Sequence, residues 1–205
     1  SYRLDLQRLN SPGSAIPIAL GEVAAGVLAM NWETHHYTFS ANTEDRIDIT
    51  LVRTSGDIEP WFEVYDQYGV LVPETPGYNS RCAASGRLGS QLICTLDKSG
   101  VYVIRVGTGT WDYEGQYLLG IQRLNSPQSA TSIEFDESVE GTITQNLERH
   151  YYTFTANPED RVDIIITRTD GDIEPWFELY DKTGSLVPET PGYNSRCSAS
   201  DKKSA

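Results

Sequence analysis

The sequence predicts an all-β chain, built as antiparallel β-sandwiches with jelly-roll-like connections in tandem repeats of about 115 residues. Three observations predict it. Apolar side chains recur at every second position in short rows. Turn-forming residues separate those rows. Most of the chain then returns 115 residues later.

The rows come first. Tyr37 and Phe39 alternate with His36 and Thr38, and Ile47, Ile49 and Leu51 alternate with Asp48 and Thr50. Tyr102, Ile104 and Val106 alternate with Val103 and Arg105, and Tyr117, Leu119 and Ile121 form a further row. Alternation of β-branched and aromatic residues with polar ones marks strands buried on one face. Val162, Ile164 and Ile166 repeat the second row and are expected to form the same strand. Breaks fall at Gly21-Glu22, Ala41-Asn42, Ser55-Gly56-Asp57, Tyr68-Gly69, Ser99-Gly100 and Gly107-Thr108-Gly109. Such residues supply positive-φ and side-chain-bonded turns. No segment shows a helical period of ordinary length. Roughly eight strands in one unit predict a sandwich.

The repeat sets the organisation. Gln7-Arg8-Leu9-Asn10-Ser11-Pro12 returns as Gln122 to Pro127, and Leu71 to Cys82 returns unchanged as Leu186 to Cys197. More than half of the aligned positions are identical, the signature of a repeat architecture. Tyr2, Leu4 and Leu6 match Tyr117, Leu119 and Ile121. The expected division is a closing strand of a preceding repeat over residues 1–10, a complete sandwich over 11–125 and an incomplete second repeat over 126–205. The junction at Asn125-Ser126-Pro127 has no Gly/Ser spacer, which predicts a fixed angle between modules.

A net charge of −13 excludes a nucleic-acid footprint, which needs a basic face. No apolar run reaches the roughly 18–20 residues of a membrane-spanning helix. The three cysteines follow the repeat. Cys82 and Cys94 lie in the first unit, and Cys197 is the counterpart of Cys82. The expectation is one disulfide per unit, Cys82 with Cys94, with Cys197 paired beyond the chain end. The alternative is two unpaired buried thiols. A disulfide implies an oxidising compartment.

Within one unit, Lys98-Ser99-Gly100-Val101-Tyr102-Val103-Ile104-Arg105-Val106 is followed by Gly115-Gln116-Tyr117-Leu118-Leu119. This resembles the closing strands of bacterial pre-peptidase C-terminal (PPC) domains, a Gly-x-Tyr-x-Val-x-Val strand and then a Gly-x-Tyr-x-Leu strand. The run from Asp57-Ile58-Glu59-Pro60-Trp61 to Gly69 is similar to the family's Asp-Pro-x-Leu-x-Leu-x-Asp-x-x-Gly segment. The resemblance implies a secreted, non-catalytic β-sandwich, often beside an extracellular protease or glycosidase, with some relatives that bind collagen or polysaccharide. The chain departs from that pattern in its close tandem copies and its cysteine pair.

Catalytic residues are expected to be absent. No Gly-x-Ser-x-Gly elbow, His-Glu-x-x-His or Cys-His arrangement occurs, and His35 reads as a strand-end histidine satisfied by backbone. No cofactor is expected, with calcium as the exception: Asp57, Glu59 and Asp66 lie at turns and return as Asp172, Glu174 and Asp181. Calcium takes several loop oxygens, although Asp at turns also caps its own backbone. If Phe62 and Val64 face the core, Trp61, Glu63 and Tyr65 face outward, as do Trp176, Glu178 and Tyr180. Such a stripe can be covered by its own loop through Tyr78 or its copy Tyr193, bury itself against a protein, or stack on sugar. The sequence thus predicts an extracellular or cell-surface structural protein of bacterial type, with tandem modules forming a stalk, fibre or filament. Its partners are further copies of the repeat in cis and in neighbouring chains, with glycan as a further candidate and neither nucleic acid nor membrane insertion. The alternative is a substrate- or glycan-binding accessory module of a secreted hydrolase or adhesin.

Overall fold

The computed structural model describes residues 6–30, 32–76, 81–109, 114–188 and 198–200. Nine strands build the first unit: β1 (Ile16–Pro17), β2 (Val23–Leu28), β3 (His35–Ala41), β4 (Arg46–Gly56), β5 (Pro60–Tyr65), β6 (Ala83–Ser85), β7 (Gly89–Thr95), β8 (Gly100–Thr108) and β9 (Gly115–Arg123). No helix occurs among the described residues.

Eight of these strands pair in a nested, antiparallel series: β2 with β9, β3 with β8, β4 with β7, and β5 with β6. Folding that series over itself gives two sheets. One has the order β2-β9-β4-β7 and the other β1-β3-β8-β5-β6. This is the strand order of a jelly roll. One pairing departs from the antiparallel expectation, since β1 runs parallel to β3. Sequence position explains it. β1 precedes β2 and reaches the free edge of β3 without reversing.

The predicted rows supply the core. Tyr37 and Phe39 from β3, Ile47, Ile49 and Leu51 from β4, Phe62 and Val64 from β5, Ile104 and Val106 from β8, and Leu119 and Ile121 from β9 are all buried between the sheets. Cys94 lies on β7, the edge of the four-stranded sheet, and Cys82 lies just before β6, the edge of the five-stranded one. The two form a disulfide with Cα atoms 5.7 Å apart. The bond therefore ties the two sheets together along one side of the sandwich.

The rest of the described chain carries four short strands: β10 (Thr131–Ser132), β11 (Tyr152–Thr153), β12 (Trp176–Glu178) and β13 (Ser198–Ser200). Their pairings repeat the first unit at a shift of 115. Thr131↔Tyr152 copies Ile16↔Tyr37, and Trp176↔Ser200 copies Trp61↔Ser85. Turn geometry recurs as well. Glu44 and Glu159 have φ of 67° and 73°, and Gly69 and Gly184 have 78° and 76°. The row Val162–Ile164–Ile166, however, forms no strand, and Val162 and Ile166 are each 36% exposed. β4 is held in its sheet by β7 on one side and β9 on the other. No strand flanks residues 161–167 among the described residues, and backbone without a ladder partner is left to solvent.

Candidate functional site

Strand parity puts Trp61, Glu63 and Tyr65 on the outer face of the five-stranded sheet, because Phe62 and Val64 are fully buried inside. Arg105 of the neighbouring β8 lies beside them. Its guanidinium sits 5.2 Å from the Trp61 ring centroid and 3.6 Å from Glu63 Oε2. Tyr65 donates its hydroxyl to the same carboxylate at 2.7 Å. Trp61 lies flat because Gly107 leaves room; a Cβ there would collide with the indole. His36 of β3, the cross-strand partner of Arg105, is buried, with its Nδ1 unpaired among the described residues. Burial, followed by the charges of Arg105 and His35, pushes its pKa down to about 4.

The second copy of this face is more open than the first, with Trp176 50% exposed, and it lies beside one side chain that reaches the first unit. Tyr180 donates to Glu178 at 2.7 Å, as Tyr65 does to Glu63, and a guanidinium again lies over the tryptophan. Here the cation is Arg149, 5.8 Å from the Trp176 centroid. Arg149 forms an ion pair with Asp48 of the first unit and donates to Thr50 Oγ1 at 3.2 Å. Asp48 and Thr50 point outward from β4, opposite in parity to the core residues Ile47, Ile49 and Leu51. Gln91 Nε2 on β7 donates to both Asp48 oxygens, at 3.0 and 2.9 Å. The outer face of the four-stranded sheet is thus the seat of the Arg149 guanidinium. Burial there raises the Asp48 carboxyl above its ordinary value, with Arg149 and Gln91 pulling it back.

The junction beside this seat is closely fitted. Arg46 Nη1 donates to Ser185 Oγ at 2.7 Å. A Cβ at Gly184 would meet Asn125 N at 3.0 Å and Leu124 Cβ at 3.2 Å. One repeat earlier, a Cβ at Gly69 would meet Asn10 N and Leu9 Cβ, both at 3.5 Å. The glycine turn of each copy therefore rests on the Leu-Asn step that precedes it.

The carboxylates considered for calcium are not gathered. Asp66 Oδ1 accepts from the backbone of Tyr68 and Val70, and Asp181 Oδ1 accepts from Thr183 and Ser185. Asp57 and Glu59 lie at the β4–β5 turn, and Asp172 and Glu174 at its copy. Among the described residues no three His, Cys, Asp or Glu side chains form a group able to hold a metal. Tyr78, Tyr193 and Cys197 lie outside the described residues.

His35 differs from expectation, because side chains rather than backbone satisfy it. Its Nδ1 is 2.6 Å from Tyr117 Oη and its Nε2 is 3.3 Å from Glu33. Tyr117 Oη in turn lies 2.8 Å from Tyr37 Oη. Burial, then the neighbouring Tyr37, drives the Tyr117 phenol far above its ordinary pKa. The phenol stays protonated and serves as a hydrogen-bonded link between β3 and β9. Two tyrosines in core rows are the sequence signal for such a link, since buried phenols seek partners. Arg149 and Gln91 carried no such signal. Arg149 replaces Thr34 of the first copy, and its role depends on a contact 101 residues away.

No protein-family model matches the chain, and no curated protein matches it. Solved structures do. The pre-peptidase C-terminal domain of a collagenase from Bacillus anthracis is 20% identical, covering 58% of this chain and 100% of its own, with a TM-score of 0.41. PliG of Aeromonas hydrophila, a periplasmic inhibitor of g-type lysozyme, is 20% identical over 53% of this chain and 96% of its own, with a TM-score of 0.37. CorA, a surface-associated copper-binding protein of Methylomicrobium album BG8, is 9% identical over 54% of this chain and 98% of its own, with a TM-score of 0.36.

Proposed function

We propose that this chain is a non-catalytic, extracellular structural protein of PPC-like modules, which stack in tandem to form a surface stalk, fibre or filament. The observation that carries this reading is the Arg149–Asp48 seat. A module that merely trailed its neighbour on a linker would make no buried ion pair with it. Asp48 has only 2% of its side chain exposed, and a buried carboxylate without its cation is costly. The junction contacts at Gly69 and Gly184 support a fixed placement that recurs along the chain. The buried disulfide supports an oxidising, extracellular location. Residues 126–205 are then part of a further repeat of the series.

Electron microscopy of the native material tests the reading. The expected result is unbranched rods. Packed sheets lie roughly 10 Å apart, so face-to-face stacking of two-sheet modules advances roughly 20 Å per repeat. Compact, isolated particles, or modules strung at variable angles, would overturn it.

A further inference from the structure

Sheet edges in native proteins are blunted by shortness, proline, charge or a covering segment. Four strands form the edges of the two sheets of the sandwich, β1, β6, β2 and β7. Three of them are blunted. β1 is two residues long and ends in Pro17, and β6 is three residues long. β7 is tied by the Cys94–Cys82 bond, and Thr95 N at its end donates to Glu74 O at 2.9 Å. β2 differs. It runs for six residues, and Val23 to Met30 contains neither a charge nor a proline. Among the described residues no strand lies along its outer side. Val27 is 53% exposed, and an open cleft lined by Ile16, Ala25 and Val27 runs beside it.

The direction of its backbone groups follows from one bond, in which Ile121 N of β9 donates to Glu22 O. Bonded pairs alternate along an antiparallel ladder. Ala24, Gly26 and Leu28 therefore face β9, whereas Val23, Ala25 and Val27 turn their N–H and C=O groups outward. Ala29 continues the outward set, and its N–H is capped by Glu33 Oε2 at 2.7 Å. The open edge is thus Val23, Ala25 and Val27, symmetric about Ala25.

We propose that this edge docks β2 of a second copy of the chain, antiparallel about a two-fold axis at Ala25. In that register Ala25 faces its own copy, and Val23 of each chain faces Val27 of the other. Every outward N–H then meets an outward C=O. Small and β-branched side chains lie opposite one another, which suits cross-strand contact. No charges are brought together, although each chain carries a net −13. The second repeat shows the converse, since the counterpart of Ala25 is Glu140. That position would set two carboxylates face to face. The contact is isologous, so it closes at two chains. It joins two four-stranded sheets side by side into one continuous sheet, whatever follows each module along its own chain.

Sedimentation velocity of the whole chain over a concentration series tests this. The parent chain is expected to pass from monomer to dimer and to go no further. Ala25 is exposed, so Ala25→Glu and Ala25→Lys each leave the sandwich intact and set like charges across the axis. Each should weaken the dimer at least tenfold. Leu88→Glu, at a 64% exposed position on the β6–β7 turn at the far side of the sheet, should leave it unchanged. An equimolar mixture of the two Ala25 variants should restore the dimer, because opposite charges then face each other. A variant that had merely lost its fold would not be restored in this way. A parent chain that is monomeric at every concentration overturns the proposal. So do association beyond a dimer, a dimer indifferent to Ala25→Glu, and a mixture that stays monomeric.

Discussion

Acid should weaken the first sandwich through His36, well before its carboxylates protonate. The histidine is 2% exposed, beside its cross-strand partner Arg105, with its Nδ1 unpaired among the described residues. Its folded pKa is pushed down to about 4, from 6.5 in the unfolded chain. Between those values the unfolded state binds a proton that the folded state refuses, so stability falls as pH falls. The loss begins below about pH 6.5. At about 1.4 kcal/mol per pKa unit it amounts to roughly 2 kcal/mol by pH 5 and about 3 kcal/mol once pH is below 4. Carboxylates add their own titration at the lower end, so the measurement must be a difference. Urea unfolding of the parent chain and of His36→Gln, with the disulfide intact, should be run from pH 7.5 to 4.5. The gap between the two stabilities should shift by roughly 2 kcal/mol in favour of the variant on acidification. Parallel curves for the two proteins would refute the reasoning, since the glutamine has no proton to gain.

Three further outcomes follow from the packing. Replacing both Cys82 and Cys94 by serine should lower stability by about 3 kcal/mol, the scale for a short closed loop, seen as a fall in urea midpoint; an unchanged midpoint would contradict the role given to the inter-sheet bond. Tyr117→Phe removes the hydroxyl between His35 and Tyr37 and should cost about 1–3 kcal/mol in the same assay; a neutral result would mean that the buried chain is not coupled. Residues 126–205 expressed alone should show no cooperative thermal transition, because Ile143, Tyr152 and Ile173 are about 40% exposed where their counterparts Leu28, Tyr37 and Ile58 are buried; a sharp monomeric melt would contradict that.

The strands were legible because alternation is local. Ile47-Asp48-Ile49-Thr50-Leu51 announces a strand with one buried face, and β4 is that strand. The disulfide was legible for a different reason, since two cysteines within one unit have few partners. The failure at Val162–Ile166 marks the limit of the method. The pattern there is the same, but a strand forms only when something lies alongside to bond it. The seat was the least legible part. Asp48 reads as an ordinary solvent-facing residue, and only the fold brings Arg149 to it. His35 similarly shows nothing of Tyr117, 82 residues away on a strand of the other sheet.

The nesting of the strands has a mechanical consequence. β2 and β9 are the outermost pair, and the chain enters at Val23 beside the point where it leaves near Gly120. A pull on the flanking segments therefore loads the short β1–β3 pair and the end of β9 that lies between β2 and β4. Loaded from that end, the hydrogen bonds of β9 break one after another, as in a zipper, instead of together in shear. Once open, the sandwich pays out chain until the load reaches the Cys82–Cys94 bond, which keeps a 12-residue span closed. At about 3.4 Å per extended residue, each yielding sandwich releases on the order of 350 Å of length. Material built from these units would resist bending through its stacked faces while lengthening under tension, and it would shorten again as the outer ladder closes.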